Sequence, residues 1–327
     1  AVLLVKLTMG ALAMGDIWYG GITKNPWNLK DGSSGSSAGS SSATVAGLVA
    51  FAIGTETLGS IVSPSTRCGA SGLRPTYGRV SRHGAMALSW SMDKIGPICR
   101  SVLDCAIVLE SIRGTDGLDS HVRNASFNYS AKTPIKKLKV GYLKTLFDAD
   151  YATKANDQKA LEVLKSLGVE LIPISLPTNI PVAAIRLMLT AEAAAAFDEL
   201  TRSNRDSLLT DQRRFAWPNS FRTARFIPAV EYINASRIRY QLIQDYYLKT
   251  KDFDVIVSPS FGGTQLLTTN LTGHPCVVVP NGFTDKGSPT SISFLGKLYG
   301  EAEALYLAHA YQQASEWEEM APPLFNK

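Results

Sequence analysis

The sequence predicts an α/β protein built in layers, on three observations. Strand-like apolar runs alternate with helical patterns along the chain. Residues 138–174 spell one complete strand–helix–strand unit. No internal repeat and no linker divides the 327 residues, so a single domain over 1–327 is expected. The composition fits, with 45% hydrophobic and 19% charged residues. That is globular and excludes a mostly disordered chain.

The elements follow in order. Residues 2–5 (VLLV) read as a buried strand and 8–14 as a short helix. Residues 20–40 read as loop, with Asn25-Pro26 and then a Gly/Ser run. Residues 41–52 are small and apolar and read as a buried helix. Residues 101–113 form an amphipathic helix opened by Ser101. Residues 138–143 are a strand, 155–167 a helix closed by Gly168, and 169–174 the next strand. Residues 181–250 look helical, broken near Pro218 and Pro228. Strands are expected at 253–258, 276–280 and 290–295, and a last helix at 301–317.

Thirty-three basic residues face 28 acidic ones, a net charge of +5 with no basic block. This weak field gives no support to a nucleic-acid or membrane-surface role. No apolar run reaches the roughly 18–20 residues of a membrane span. Cys68, Cys99, Cys105 and Cys276 form no CxxC pair and read as buried free thiols. His83, His121, His274 and His309 show no ligand spacing, so no metal is expected. The chain opens at Ala1 directly on an apolar run. The expectation is a domain incomplete at its N-terminus, with any targeting segment upstream. Localisation is then not legible, the cytoplasm being slightly favoured.

Residues 32–40 read GSSGSSAGS. On composition this is a flexible spacer. The apolar helix that follows without a gap ties it to the core instead. A Gly-rich loop feeding a helix start can aim N–H groups at an anion or a developing oxyanion. Gly35-Ser36-Ser37-Ala38-Gly39 also fits the G-x-S-x-G nucleophile elbow, with His274 or His309 as triad partner. The elbow needs a strand directly before it, and residues 25–31 read as loop. A third reading adds residues 54–65, GTETLGSIVSPS, so that two serine-bearing loops bracket one helix.

That pairing, with its surroundings, resembles the amidase signature hydrolases. Residues 32–83 carry the closest likeness. LLVKLTMGALAMG (3–15), GLRPTYGRVSR (72–82), SMDKIGP (91–97) and NLTGHPCVVVPNGF (270–283) are similar to family segments in the same order. The likeness is weakest over 120–250, taken as the variable, largely helical, substrate-facing part. Residues 1–120 would then hold the core with its catalytic loops, and 251–327 the strands and helix that return to it. The resemblance implies a large mixed β-sheet flanked by helices on both sides. It implies a Ser–cisSer–Lys triad that hydrolyses a carboxylic amide. Ser60 aligns with the acylated nucleophile and Ser36 with the bridging serine, joined to Gly35 by a cis bond. Thr57, Leu58 and Gly59, with Ser60, align with the oxyanion loop. No cofactor is implied. The partner is a small-molecule amide, and a homodimer is left open. The alternatives are the glutaminase subunit of a tRNA-dependent amidotransferase, or a non-catalytic scaffold.

Three departures from the family stand out. Leu58 replaces a common glycine, and Val62 replaces a common arginine. The family's catalytic lysine lies farther upstream of the bridging serine than the 35 residues present here. Lys6 matches a later family stretch and reads as structural, so the base is expected outside this sequence. Trp27, Trp90 and Met92 read as core. Arg74, Arg79 and Arg82 read as structural ion pairs, and His274 as a turn residue. Gln265 is expected in a loop near the substrate side.

Overall fold

The computed structural model describes residues 2–317 and 319–325. Eight strands form one mixed sheet: β1 (Phe51–Glu56), β2 (Ser71–Arg74), β3 (Lys94–Cys99), β4 (Val140–Leu143), β5 (Leu171–Ile174), β6 (Val255–Pro259), β7 (Cys276–Phe283) and β8 (Pro289–Gly296). Their spatial order is β1-β3-β2-β7-β8-β6-β4-β5. The pairs from β1 through β6 are antiparallel, whereas β6–β4 and β4–β5 are parallel. The parallel edge comes from the strand–helix–strand unit legible in the sequence.

Side-chain alternation sends β7 to both faces. Val277 and Val279 pack with Leu109, Leu164 and Leu305 from helices on one side. Cys276 and Val278 pack with Val62 on the other. Burial on both faces is why β7 reads as a continuous apolar run. The helices concerned are α1 (Ala38–Val45), α2 (Val62–Cys68), α3 (Val102–Ile112), α4 (Lys154–Ser166), α5 (Leu187–Ala196), α6 (Trp217–Ala224), α7 (Ala229–Thr250), α8 (Gln265–Thr272) and α9 (Glu301–Gln313). Residues of α5, α6, α7 and α8 share a separate apolar cluster with Leu88 and Met92. Pro218 stands in the first turn of α6 and Pro228 caps α7, so both prolines mark helix starts.

Several expectations are corrected. Residues 2–5 form no strand: Leu3 is 91% exposed. They run beside β1, the edge of the sheet, and line an apolar groove with Phe51 and Ile53 instead of joining the ladder. Residues 8–14 hold only a tight turn at Ala11–Ala13, with Leu12 at φ 49°. Within 20–40, Lys24–Asn25 pairs with Asn28–Gly32 in a small hairpin. The Asn25 side chain accepts from Trp27 N and closes it. The helix expected over 41–52 starts at Ala38 and stops at Val45, and β1 begins at Phe51. Strands β1, β2 and β3 and helices α2 and α8 were not legible, being short segments rich in Gly, Ser, Thr and Pro.

Helix α3 begins where the sequence places it. Ser101 Oγ accepts from Asp104 N at 3.0 Å, which satisfies one of the helix's free donors. Ser101→Ala is expected to lower stability by about 1 kcal/mol. Urea unfolding of the two proteins checks this, and unchanged stability would dismiss the cap.

Candidate active site

The serine-rich loop enters α1, and each neighbour of Ser36 is tied down. The peptide bond Gly35–Ser36 is cis, the geometry the resemblance implies. A Cβ at Gly35 would lie 1.8 Å from Gly15 O, so only glycine fits there. Ser37 Oγ donates to Thr55 O at 3.1 Å and accepts from Thr55 N at 3.0 Å, which fastens the loop to β1. Ser40 Oγ donates to Ile53 O at 2.8 Å. Ser36 O accepts from Gly10 N at 3.0 Å and from Ala38 N at 2.7 Å. Ser36 itself is 1% exposed, and among the described residues its hydroxyl has no hydrogen-bond partner. A buried hydroxyl free in this way keeps both its donor and its acceptor capacity.

Helix α1 does not offer the anion site its position suggests. Its first N–H groups are occupied, with Ala38 N on Ser36 O and Gly39 N on Thr8 O at 2.9 Å. No strand of the large sheet leads into the loop, which is preceded by the 24–32 hairpin, so the nucleophile-elbow reading falls. His274 is buried before β7, with Nδ1 2.8 Å from Thr272 Oγ1. Burial and then the Arg74 charge push its pKa down to about 3, so it is neutral.

The second serine loop hangs on Glu56, the last residue of β1. Glu56 Oε2 accepts from Ile61 N at 2.8 Å and Val62 N at 3.0 Å, at the start of α2. Its Oε1 accepts from Arg74 Nη1 and Asn270 Nδ2, each at 2.9 Å. Arg74 Nη2 continues to Thr269 Oγ1 and His274 O. Residues 57–60 thus form a turn closed by one carboxylate. Gly59 supplies its φ of 87°. Among the described residues, no hydrogen bond occupies the backbone N–H groups of Thr57, Leu58, Gly59 or Ser60. Ser60 is 7% exposed, and its carbonyl accepts from Ser37 N at 3.2 Å, which joins the two loops directly. Thr57 Oγ1 donates to Asp93 Oδ1 at 2.5 Å. The half-buried Leu58 packs toward the helical cluster and not into open space.

Burial alone would raise the pKa of Glu56. The charge and hydrogen bond of Arg74, the Lys94 charge and the Val62 N–H outweigh it and hold the carboxyl at about 2. Lys94, opposite Glu56 across the β1–β3 pair, is the one lysine among the buried described residues. Burial, then Arg74, lowers its pKa well below the ordinary value, against Glu56 and Asp93. Its Nζ donates to Met92 O. Lys6 is exposed.

The other candidates divide. Arg74 pairs with Glu56, Arg79 with Glu301 and Arg82 with Asp119, as structural ion pairs. Met92 is fully buried, and Trp27 donates from Nε1 to Cys68 O at 2.7 Å. Trp90 is corrected: it is 50% exposed and lines a cleft with Met86 and His121. Its carbonyl, and not its ring, is the anchored part, accepting from Tyr77 Oη and Arg82 Nη1. Gln265 is corrected from loop to the first residue of α8, where it is buried with both amide atoms unpartnered. Sequence reasoning passed over Glu56, Asp93, Lys94 and Asn270, although each lies in or beside a segment quoted for the resemblance.

Two serine loops clasped around one short helix, at the edge of a mixed sheet covered by helices, define an amidase. The chain matches the Amidase family model over residues 1–268 and belongs to that family. It is a hydrolase acting on amide C–N bonds. It is 32% identical to a glutamyl-tRNA(Gln) amidotransferase subunit from Geobacter metallireducens, over 97% of this chain and 75% of that protein. The corresponding protein of Chromohalobacter salexigens is 33% identical, over 98% and 75%. Among solved structures, the peptide amidase of Stenotrophomonas maltophilia superposes with a TM-score of 0.81 at 27% identity, covering all of this chain and 76% of that one. The glutamyl-tRNA(Gln) amidotransferase subunit of Thermotoga maritima gives 0.80 at 26%, over 96% and 74%.

Glu56 yields a pH prediction. Its pKa is depressed in the folded state, so its contribution is complete above the ordinary carboxyl value of 4.5 and lost as pH falls toward 2. Glu56→Gln leaves Arg74 buried without a counter-charge and should cost about 3–5 kcal/mol at pH 7. The gap between the two proteins should narrow between pH 4.5 and 2. Thermal unfolding across that range tests it; a constant gap would show that Glu56 is not the titrating anchor.

Proposed function

We propose that the chain hydrolyses a carboxylic amide through an acyl-enzyme on Ser60, with Ser36 as the bridging serine. The observation that carries this reading is the direct Ser37 N–H to Ser60 carbonyl link between the loops, beside the free buried hydroxyl of Ser36. A serine hydroxyl attacks only when a neighbour takes its proton. Ser36 would take the Ser60 proton and hand its own to a lysine base, as the family pattern has it. Lys94 is engaged at Met92 O and Lys6 is exposed, so neither is assigned that role. As Ser60 Oγ bonds to the carbonyl carbon, negative charge builds on the oxygen. The N–H groups of Thr57, Leu58, Gly59 and Ser60 are the donors proposed to hold it. One such donor is worth about 3–4 kcal/mol of barrier. Collapse breaks the C–N bond, and the proton returns through Ser36 to the leaving nitrogen. Water then cleaves the ester and frees Ser60.

A second reading rests on the amidotransferase relatives. In that reading the amide would be the side chain of glutamine, and the ammonia would pass to a charged tRNA held by partner subunits. Ammonia release from glutamine compared with simple carboxylic amides, each without partners, separates the two.

Fluorophosphonate labelling with peptide mapping tests the serines. The label is expected on Ser60, absent in Ser60→Ala, and slowed about 100-fold or more in Ser36→Ala. Labelling at another serine, with Ser60 unmodified, would overturn the assignment.

A further inference from the structure

A cavity of about 540 Å³ opens where β4 and β6 end, between the start of α4 and the start of β8. Ligands of open α/β sheets collect at the carboxyl ends of parallel strands, and β4 and β6 are a parallel pair. Leu146 and Phe261 give it an apolar wall, and Thr153, Ser260 and Ser291 also line it, the last two with hydroxyls 2.8 Å apart. Asp157, in the first turn of α4, also lines it. Asp157 is 1% exposed. Its Oδ1 accepts from Asn281 Nδ2 at 2.6 Å, while its Oδ2 has no hydrogen-bond partner among the described residues. Tyr151, another lining residue, approaches the carboxylate, yet its hydroxyl closes no hydrogen bond either.

The charge of Asp157 is not compensated by protein. Burial raises its pKa to about 6, against the steadying effect of Asn281 and Tyr151, and no lysine or arginine acts on it. At neutral pH it is mostly an anion. The helix start favours that state. Arg67, the one basic side chain in the lining, is paired with Asp31 at 3.2 Å. Asp150 at the mouth is paired with Lys154 at 3.4 Å. A desolvated carboxylate without a cation is costly, and a cationic ligand removes that cost.

We propose that this cavity binds an organic ammonium group, with Asp157 Oδ2 as its counter-charge, the hydroxyls as further acceptors, and Leu146 and Phe261 against its carbon skeleton. An ammonium presents three donors and no acceptor, which suits a carboxylate oxygen left without a donor. Among the cavity's lining residues are none of Ser36, Thr57, Leu58, Gly59 and Ser60. It touches the serine loops only through Ser34 and Ser63, whose hydroxyls lie 2.8 Å apart.

Calorimetric titration with n-propylammonium chloride, n-propanol and sodium propionate, at matched ionic strength, tests it. Saturable binding of the ammonium alone is expected. Asp157→Asn should weaken it about tenfold or more. Ala149→Trp, at an exposed lining position, should abolish it by filling the mouth. This variant carries the test should Asp157→Asn fail to fold. Ser60→Ala should bind as the unaltered protein does, so failure of the acyl-enzyme reading leaves this result intact. Absence of saturable binding, equal binding of n-propanol, or undiminished binding in either cavity variant would overturn the proposal.

Discussion

The carboxylate of Glu56 is the constraint on which the candidate site rests. It ends an edge strand, closes the turn that carries Ser60, and neutralises a fully buried arginine. Through Arg74 and Asn270 it also gathers segments more than 200 residues away in sequence. A buried ion pair alone is weak evidence for stability. Here both oxygens of the carboxylate are occupied, so the group fixes a geometry as well as a charge. At the start of α2 the Glu56 side chain accepts from Ile61 N and Val62 N and Gly59 O accepts from Ser63 N, while among the described residues the N–H groups of 57–60 take no partner.

Around that anchor the two serine loops divide their labour. Ser37 and Ser40 spend their hydroxyls on the β1 backbone. Ser36, between cis-bonded Gly35 and Ser37, spends none. Adjacent serines of the same run thus have opposite roles, one structural and one chemically available. The run is rich in small residues because Gly35 and Gly39 sit against other backbone segments with no room for a side chain.

Much of this was legible in the sequence. The strand–helix–strand unit at 138–174, the Ser101 cap and the C-terminal strands have strong local signals, namely periodicity, caps and β-branched runs. The motif pattern pointed to Ser36 and Ser60. The N-terminal strand failed because VLLV has strand-like residues but no ladder partner beside β1. Strands β1, β2 and β3 failed the other way: FAIGTE, SGLR and KIGPIC carry Gly and Pro, and their pairing with distant partners outweighs their propensity. Trp90 failed because only its carbonyl is anchored, which composition does not reveal.

By itself, the sequence determined the layer class and the family, because these depend on local pattern and motif order, and it nominated Ser36 and Ser60 as the paired serines. Only the tertiary structure decided that Glu56 holds the Ser60 turn, that α1 has no open anion site, and that Asp157 faces a cavity without a counter-charge. These depend on which polar groups find partners once distant segments meet, and burial makes each such match or mismatch matter.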